Sequence, residues 1–76
     1  MASIKHIDPQ NDEQENVLRS IQEFDGTLQE WIDNELQEIH EEQDEDRRDE
    51  MGEFIKMAKR EGLKVNVPTR EELINL

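Results

Sequence analysis

Carboxylates are the commonest reactive groups in this sequence, and they concentrate near its middle. No apolar residue occurs between His40 and Glu50. Carboxylates three or four residues apart on a helix lie about 5–6 Å from one another, similar to the spacing of phosphates along a nucleic-acid strand. The spacing therefore predicts a partner-binding surface that imitates phosphates, formed by Glu41, Glu42, Asp44, Glu45, Asp46, Asp49, Glu50 and Glu53. The alternative is a solvated face or linker, in which Arg47 and Arg48 make surface pairs of little worth.

Catalytic and metal-binding patterns are missing. The chain has no cysteine or tyrosine, and its only histidines are His6 and His40. His40 lies one turn before Asp44, but position 37 is Gln37, so the Glu-x-x-His pattern of carboxylate-bridged metal helices is absent. The glycine and terminal glutamate of an EF-hand loop are also not at their required offsets. We expect no enzymatic activity, no catalytic residue, no cofactor and no metal site.

Length and composition limit both the fold and the partner. A chain of 76 residues with 32% hydrophobic residues predicts one small domain, since a fold of this size buries only roughly 60% of its unfolded surface. Its apolar residues look sparse for a monomeric core, so we expect self-association as a homodimer. With 21 acidic and 9 basic residues, the formal net charge is −12. This charge repels nucleic acid and anionic membranes and attracts basic proteins, although acidity also serves solubility.

Nothing in the sequence predicts export or membrane insertion. The segment from Met1 to Pro9 has only scattered apolar residues, unlike a signal peptide, and no apolar run approaches the length of a membrane span. We therefore expect a cytoplasmic protein, in the host cytoplasm if a phage encodes it.

The spacing of apolar residues predicts a mainly all-α fold, either a small three-helix arrangement or a helical hairpin. A first helix is predicted over residues 8–25, with Asp8 as its cap and Pro9 in its first position. A second helix is predicted over 27–42, because Thr27 and Glu30 match a capping box. We place a break at Gly26, although the apolar spacing continues through it as in one long coiled-coil helix.

The C-terminal half is predicted to be less regular. Residues 40–50 form an acidic connector or a solvated helix, and helix propensity does not decide between the two. A third helix over 50–61 should end before Gly62. Residues 63–67 alternate in polarity, which predicts a short strand or an extended tail laid across the helices. Thr69 and Glu72 form another capping-box pattern, so a short final helix is predicted over 69–76.

These features favour a non-enzymatic inhibitor or regulator that covers the nucleic-acid-binding surface of a basic protein. In size and acidity, the chain resembles the small DNA-mimic inhibitors that bacteriophages and mobile elements make against restriction, CRISPR or repair proteins. This resemblance is one of composition and covers no alignable residues. Exposed Trp31 and Phe54 are predicted as apolar anchors, because aromatic residues dominate many interfaces. The alternatives are a self-associating, coiled-coil-like structural or adaptor protein and an antitoxin-like neutraliser of a basic toxin.

Overall fold

The chain folds into a small helical domain, which the computed structural model describes over residues 7–76. His6 and the residues before it lie outside this range. Within the range there is no strand, and the helices are α1 (Asp12–Glu23), α2 (Leu28–Glu42), α3 (Glu45–Glu61) and α4 (Arg70–Ile74). The helix α3 is central, since α1, α2 and α4 all pack against it. The prediction of a mainly helical, three-helix arrangement with a short final helix is confirmed. None of these helices is long and apolar enough to cross a membrane.

Helix α1 begins later than predicted, at Asp12 instead of residue 8. Its cap is Asn11, whose side-chain oxygen accepts a hydrogen bond from the backbone N–H of Gln14 at 2.8 Å. Asp8 is not the cap because tertiary contacts hold the preceding residues outside the helix. Ile7 is buried in the core, and the carbonyl of Asp8 accepts a hydrogen bond from Arg60 Nη2 at 2.6 Å.

The break between α1 and α2 lies where the sequence predicted it. Thr27 and Glu30 form a complete capping box: Thr27 Oγ1 accepts from the backbone N–H of Glu30 at 3.1 Å, and Glu30 Oε1 accepts from that of Thr27 at 2.9 Å. Gly26 precedes this box because there is no room for a side chain. A Cβ atom at residue 26 would lie 2.6 Å from Cε2 of the Phe24 ring.

The core lies between α1, α2 and α3, and Trp31 and Phe54 are at its centre. Their ring centroids are 5.3 Å apart with a tilted geometry, and the two residues are 1% and 0% exposed. The indole Nε1 of Trp31 donates to Ser20 Oγ at 3.2 Å. The prediction that Trp31 and Phe54 are exposed anchors for a partner is therefore wrong. Both belong to the apolar stripes of their helices, and burial of those stripes forms the monomer core.

Helix α3 starts five residues before the predicted residue 50, and Gly62 ends it. Gly62 has a left-handed backbone with a φ of 65°, and the N–H of Leu63 donates back to the carbonyl of Ala58 at 3.0 Å. The chain then crosses the helices as an extended tail without strand pairing. The side-chain amide of Gln29 takes the place of a neighbouring strand, because it bonds both the N–H and the carbonyl of Asn66 at 2.8 and 3.0 Å.

Candidate protein-binding surface

The acidic segment consists of two helix ends that meet at a corner, which we name the α2–α3 corner (residues 41–49). Helix α2 ends at Glu42, Gln43 adopts a left-handed backbone with a φ of 53°, and Asp44 caps α3. The Asp44 carboxylate accepts hydrogen bonds from the backbone N–H groups of Asp46 at 3.0 Å and Arg47 at 3.5 Å. The segment is therefore helical on both sides of a two-residue break.

Arg47 joins the two helices at this corner. Its Nη1 atom lies 2.6 Å from Oε2 of Glu38 and 3.0 Å from Oε1 of Glu35, both on α2. Glu35 is only 6% exposed, so its charge depends on this partner. Removing one member of a buried ion pair is strongly destabilising because the other charge stays buried. The interpretation of Arg47 as a surface pair of little worth is therefore wrong.

Burial and neighbouring charges shift the proton affinities of these groups. Burial raises the pKa of Glu35, and the attraction of Arg47 opposes this effect only in part. For Arg47, burial lowers the pKa, but the attraction of Glu35 and Glu38 outweighs it, and the pKa is raised overall. Burial also raises the pKa of Glu50, against the attraction of Arg47 and with added repulsion from carboxylates that include Glu13. Arg47 is therefore a cation near two glutamates, Glu35 and Glu50, whose ionisation is opposed by burial.

Arg48 also has a structural position. Its side chain is 16% exposed, and its Nη1 lies 3.5 Å from Oε1 of Glu45. Its Nη2 donates to Oε1 of Gln43 at 3.2 Å and to the carbonyl of Leu76 at 3.3 Å, while its buried Nε has no hydrogen-bond partner among the described residues. Arg48 thus connects the corner to the end of the described chain by hydrogen bonds, whereas its ion pair with the 80% exposed Glu45 is a surface pair.

Half of the predicted partner-binding carboxylates take part in the fold. Asp44 caps α3, Glu45 pairs with Arg48, and Glu50 is partly buried. The side chain of Glu53 is 14% exposed; its Oε2 lies 3.2 Å from Nε2 of Gln14, and its Oε1 lies 3.3 Å from Nζ of Lys56. Asp44 and Glu53 are held by intramolecular contacts and Glu50 is partly buried, so changing these three would affect stability as well as surface charge. The side chain of Glu45 is 80% exposed, and its pair with Arg48 adds little to stability.

The other half face solvent, and we name them the exposed corner carboxylates: Glu41, Glu42, Asp46 and Asp49. None of them has an ion-pair partner within residues 7–76. Glu41 accepts a hydrogen bond from the neutral side chain of Gln37 at 3.3 Å. Their charges are therefore free to attract a cation from another molecule.

Two of the exposed corner carboxylates lie where a helix disfavours negative charge. Glu41 and Glu42 are in the last turn of α2, where His40 is the only basic residue. The carbonyl end of a helix carries a partial negative charge, so an acidic side chain there costs roughly 0.3–1 kcal/mol at low salt. Asp46 lies in the first turn of α3, where the same effect is favourable. Helix stability thus explains Asp46 but not Glu41 or Glu42.

The sequence contains a signal for the Arg47 contact that our prediction did not use. Ile32, Glu35 and Ile39 are spaced by three and four residues, so Glu35 lies within the buried stripe of α2. A glutamate in such a stripe requires a cation from another element. Arg47 and Arg48 are the nearest cations that follow in the sequence, and the structure brings Arg47 to this position.

The described part of the chain offers charged side chains for binding but no arrangement typical of a metal site. Within residues 7–76, no group of three or more histidine, cysteine, aspartate or glutamate side chains is arranged to hold a metal ion. His40 is exposed on α2. Comparison with known proteins found no matching family, no matching curated protein and no matching solved structure.

Proposed function

We propose that this chain is a non-enzymatic inhibitor or regulator that covers the nucleic-acid-binding surface of a basic protein. The observation that carries the proposal is the group of exposed corner carboxylates, which have no cationic partner within the described residues. Two of them, Glu41 and Glu42, lower the stability of the helix that bears them. Residues that oppose local stability are expected at functional sites.

Such a surface acts by occupation, and no bond is made or broken. Lysine and arginine side chains that are arranged for phosphates would instead meet carboxylates at similar intervals on two helix ends. The net charge of −12 would accelerate encounter with a basic surface, and salt would slow it. Because protein and nucleic acid would occupy the same site, binding of one excludes the other.

The alternative of a self-associating, coiled-coil-like protein requires apolar residues that the fold leaves uncovered. Within the described chain, apolar residues of all three long helices are buried in one cluster, and Ile74 is the only large hydrophobic residue that is exposed. The burial of these residues over positions 7–76 supports the inhibitor proposal more than the coiled-coil-like one.

The test compares two variants with the same net charge. One neutralises the exposed corner carboxylates (E41Q, E42Q, D46N and D49N), and the control neutralises four exposed carboxylates elsewhere (D12N, D25N, D33N and E71Q). The wild-type chain first identifies its partner by affinity capture from a lysate, and titration calorimetry then gives the Kd of each variant. We expect the corner variant to lose affinity at least tenfold more than the control, and nucleic acid to compete with the wild type.

Two results would contradict the proposal. If both variants lose the same affinity, net charge alone drives binding and the corner is not a site. If the captured partner binds nucleic acid and the chain simultaneously, the surface that the chain covers is not the nucleic-acid-binding one. Far-ultraviolet circular dichroism of both variants serves as the folding control, since none of the eight substituted side chains is buried.

A further inference from the structure

A groove runs between α1, α3 and α4, next to the α2–α3 corner. Its volume is about 480 Å³, and Asp49 is common to the groove and the exposed corner carboxylates. The apolar part of its lining comes from Gly52, Leu73 and Ile74. Leu73 is buried, but Ile74 is 70% exposed. The groove therefore places an exposed aliphatic side chain beside the charged surface.

Gly52 lines this groove, and the fold gives no steric reason for a glycine there. It lies in the middle of α3, and a Cβ atom added to it would meet nothing within 4 Å. Its φ is not positive, since Gly62 is the only described glycine with a positive φ. Glycine within a helix lowers stability relative to alanine. Gly52 therefore lowers the stability of α3 beside an open space, without a steric need among the described residues.

The charges around the groove indicate what could fill it. Two of its cations are already paired within the chain, Arg48 with Glu45 and Lys56 with Glu53. Two of its carboxylates, Glu13 on α1 and Asp49 on α3, have no ion-pair partner among the described residues and are exposed. The groove therefore combines two unpaired negative charges on the α1 and α3 side with apolar surface on the α4 side, where Arg70 is a single cation without an ion-pair partner among the described residues.

We propose that the groove binds a basic, amphipathic segment of the partner protein. An aliphatic side chain of that segment lies over Gly52 against Leu73 and Ile74, and a neighbouring lysine or arginine reaches Glu13 and Asp49. This inference rests on the proposed function and adds to it, because it supplies the apolar contact that the buried aromatic residues do not. Charge brings the partner to the corner, and the groove slows its dissociation.

The test uses two synthetic peptides of equal length and charge, one a helical peptide of lysines and leucines and the other an oligolysine with glycine in place of leucine. The protein variants are Gly52→Gln, which fills the groove with a neutral side chain, and Gly52→Ala as the matched control. We expect the wild type to bind the amphipathic peptide at least tenfold more tightly than the oligolysine. Gly52→Gln should remove this preference, and Gly52→Ala should reduce it less. Both variants should melt at or above the wild-type temperature, since alanine and glutamine favour helix.

Backbone amide shifts of ¹⁵N-labelled protein locate the bound peptide. Shifts centred on Gly52 and Ile74 support the proposal, whereas equal affinities for the two peptides, or an unchanged preference in Gly52→Gln, overturn it. A triple variant (E41Q, E42Q and D46N) keeps Asp49 and separates the two hypotheses. If this variant binds both peptides with wild-type affinity, the hypothesis that the corner binds the partner is contradicted and the groove hypothesis is not. If the variant has lower affinity for both peptides and Gly52→Gln changes neither affinity, the groove hypothesis is contradicted and the corner hypothesis is not.

Discussion

The two breaks between the long helices end the preceding helix in different ways. At the first, α1 ends with Glu23 and has no basic residue in its last turn, whereas the Thr27 capping box satisfies free N–H groups of α2. At the second, α2 also ends with acidic residues, but Gln43 takes a left-handed backbone and its side-chain amide donates to two carbonyls at the end of α2. Both breaks follow the local rules at the start of the next helix, through Thr27 and Asp44, and both place carboxylates at the carbonyl end of the previous one.

The two kinds of helix end separate stability from surface function. Positions that follow local rules need no further explanation, because helix formation accounts for them. Positions that break a rule are the ones at which another molecule should be sought. By this criterion Thr27 and Asp44 are structural, whereas the positions to examine for binding are Glu23, Glu41, Glu42 and the helical glycine Gly52.

The largest effect is expected for the contact that holds the second break in place. Arg47→Met keeps the aliphatic part of the side chain but leaves the buried Glu35 without its cation. The free energy of unfolding should fall by roughly 1–3 kcal/mol, the cost of an unsatisfied buried group. Urea denaturation measures it. The double variant Glu35→Leu with Arg47→Met should recover most of the loss, because a neutral buried pair carries no desolvation penalty. If the double variant is as unstable as the single one, the ion pair is not the cause.

The next effect concerns the first break. Thr27→Ala removes the hydroxyl that accepts from the N–H of Glu30 and should lower the free energy of unfolding by about 1 kcal/mol. Thr27→Ser keeps the hydroxyl and should remain close to the wild type. Thr27→Ala should also bring the lowered pKa of Glu30 part of the way towards its usual range, because the backbone N–H of Thr27, which is the larger cause of the lowering, remains while the hydroxyl is lost. Carboxyl shifts followed by NMR during a pH titration would show this, and an unchanged pKa would contradict it.

The sequence predicts those parts of the fold that depend on local chemistry. Thr27 with Glu30, and Gly62 after a basic helix end, are signals within a few residues of the structure they specify. The start of α1 is less predictable, because Asp8 and Asn11 are both good caps and the choice depends on Arg60, which is distant in sequence. The left-handed backbone of Gln43 has no signal of its own, since glutamine does not favour that conformation.

The candidate surface is predictable in composition but not in detail. The number of carboxylates near the corner is evident from the sequence, but their division into structural and exposed groups depends on where Gln14, Arg48 and Lys56 lie. The groove depends on the packing of α4 against α3 and has no sequence signal beyond Gly52. Long-range pairing thus decides which charges remain available.

A smaller effect is expected from pH, and it has the opposite sign to ordinary acid denaturation. Burial raises the pKa of Glu35 and Glu50 in the folded state above the unfolded value of about 4.3. Their contribution to stability is complete below that unfolded value and is lost as pH rises through the folded pKa. The Tm should therefore increase as pH falls from neutral towards that unfolded value. The variant Glu35→Gln with Glu50→Gln removes both titrations and should show a weaker dependence. An equal slope in the two proteins would mean that relief of net charge explains the effect.

The smallest effect is expected for single carboxylates at the corner, where the end of α2 can be compared directly with the start of α3. Glu41→Gln and Glu42→Gln each remove a negative charge from the carbonyl end of α2, and each should raise the free energy of unfolding by about 0.3–1 kcal/mol at low salt. Asp46→Asn removes the same charge from the N-terminal turn of α3 and should lower it by a similar amount. All three substitutions relieve the overall repulsion equally, so a difference in sign isolates the helix ends as the cause. Added salt should shrink the difference, because these positions are exposed and screened. Chemical denaturation at two salt concentrations measures both. If all three variants are stabilised alike, the helix ends do not distinguish these carboxylates, and the stability argument that assigns Glu41 and Glu42 to binding is lost.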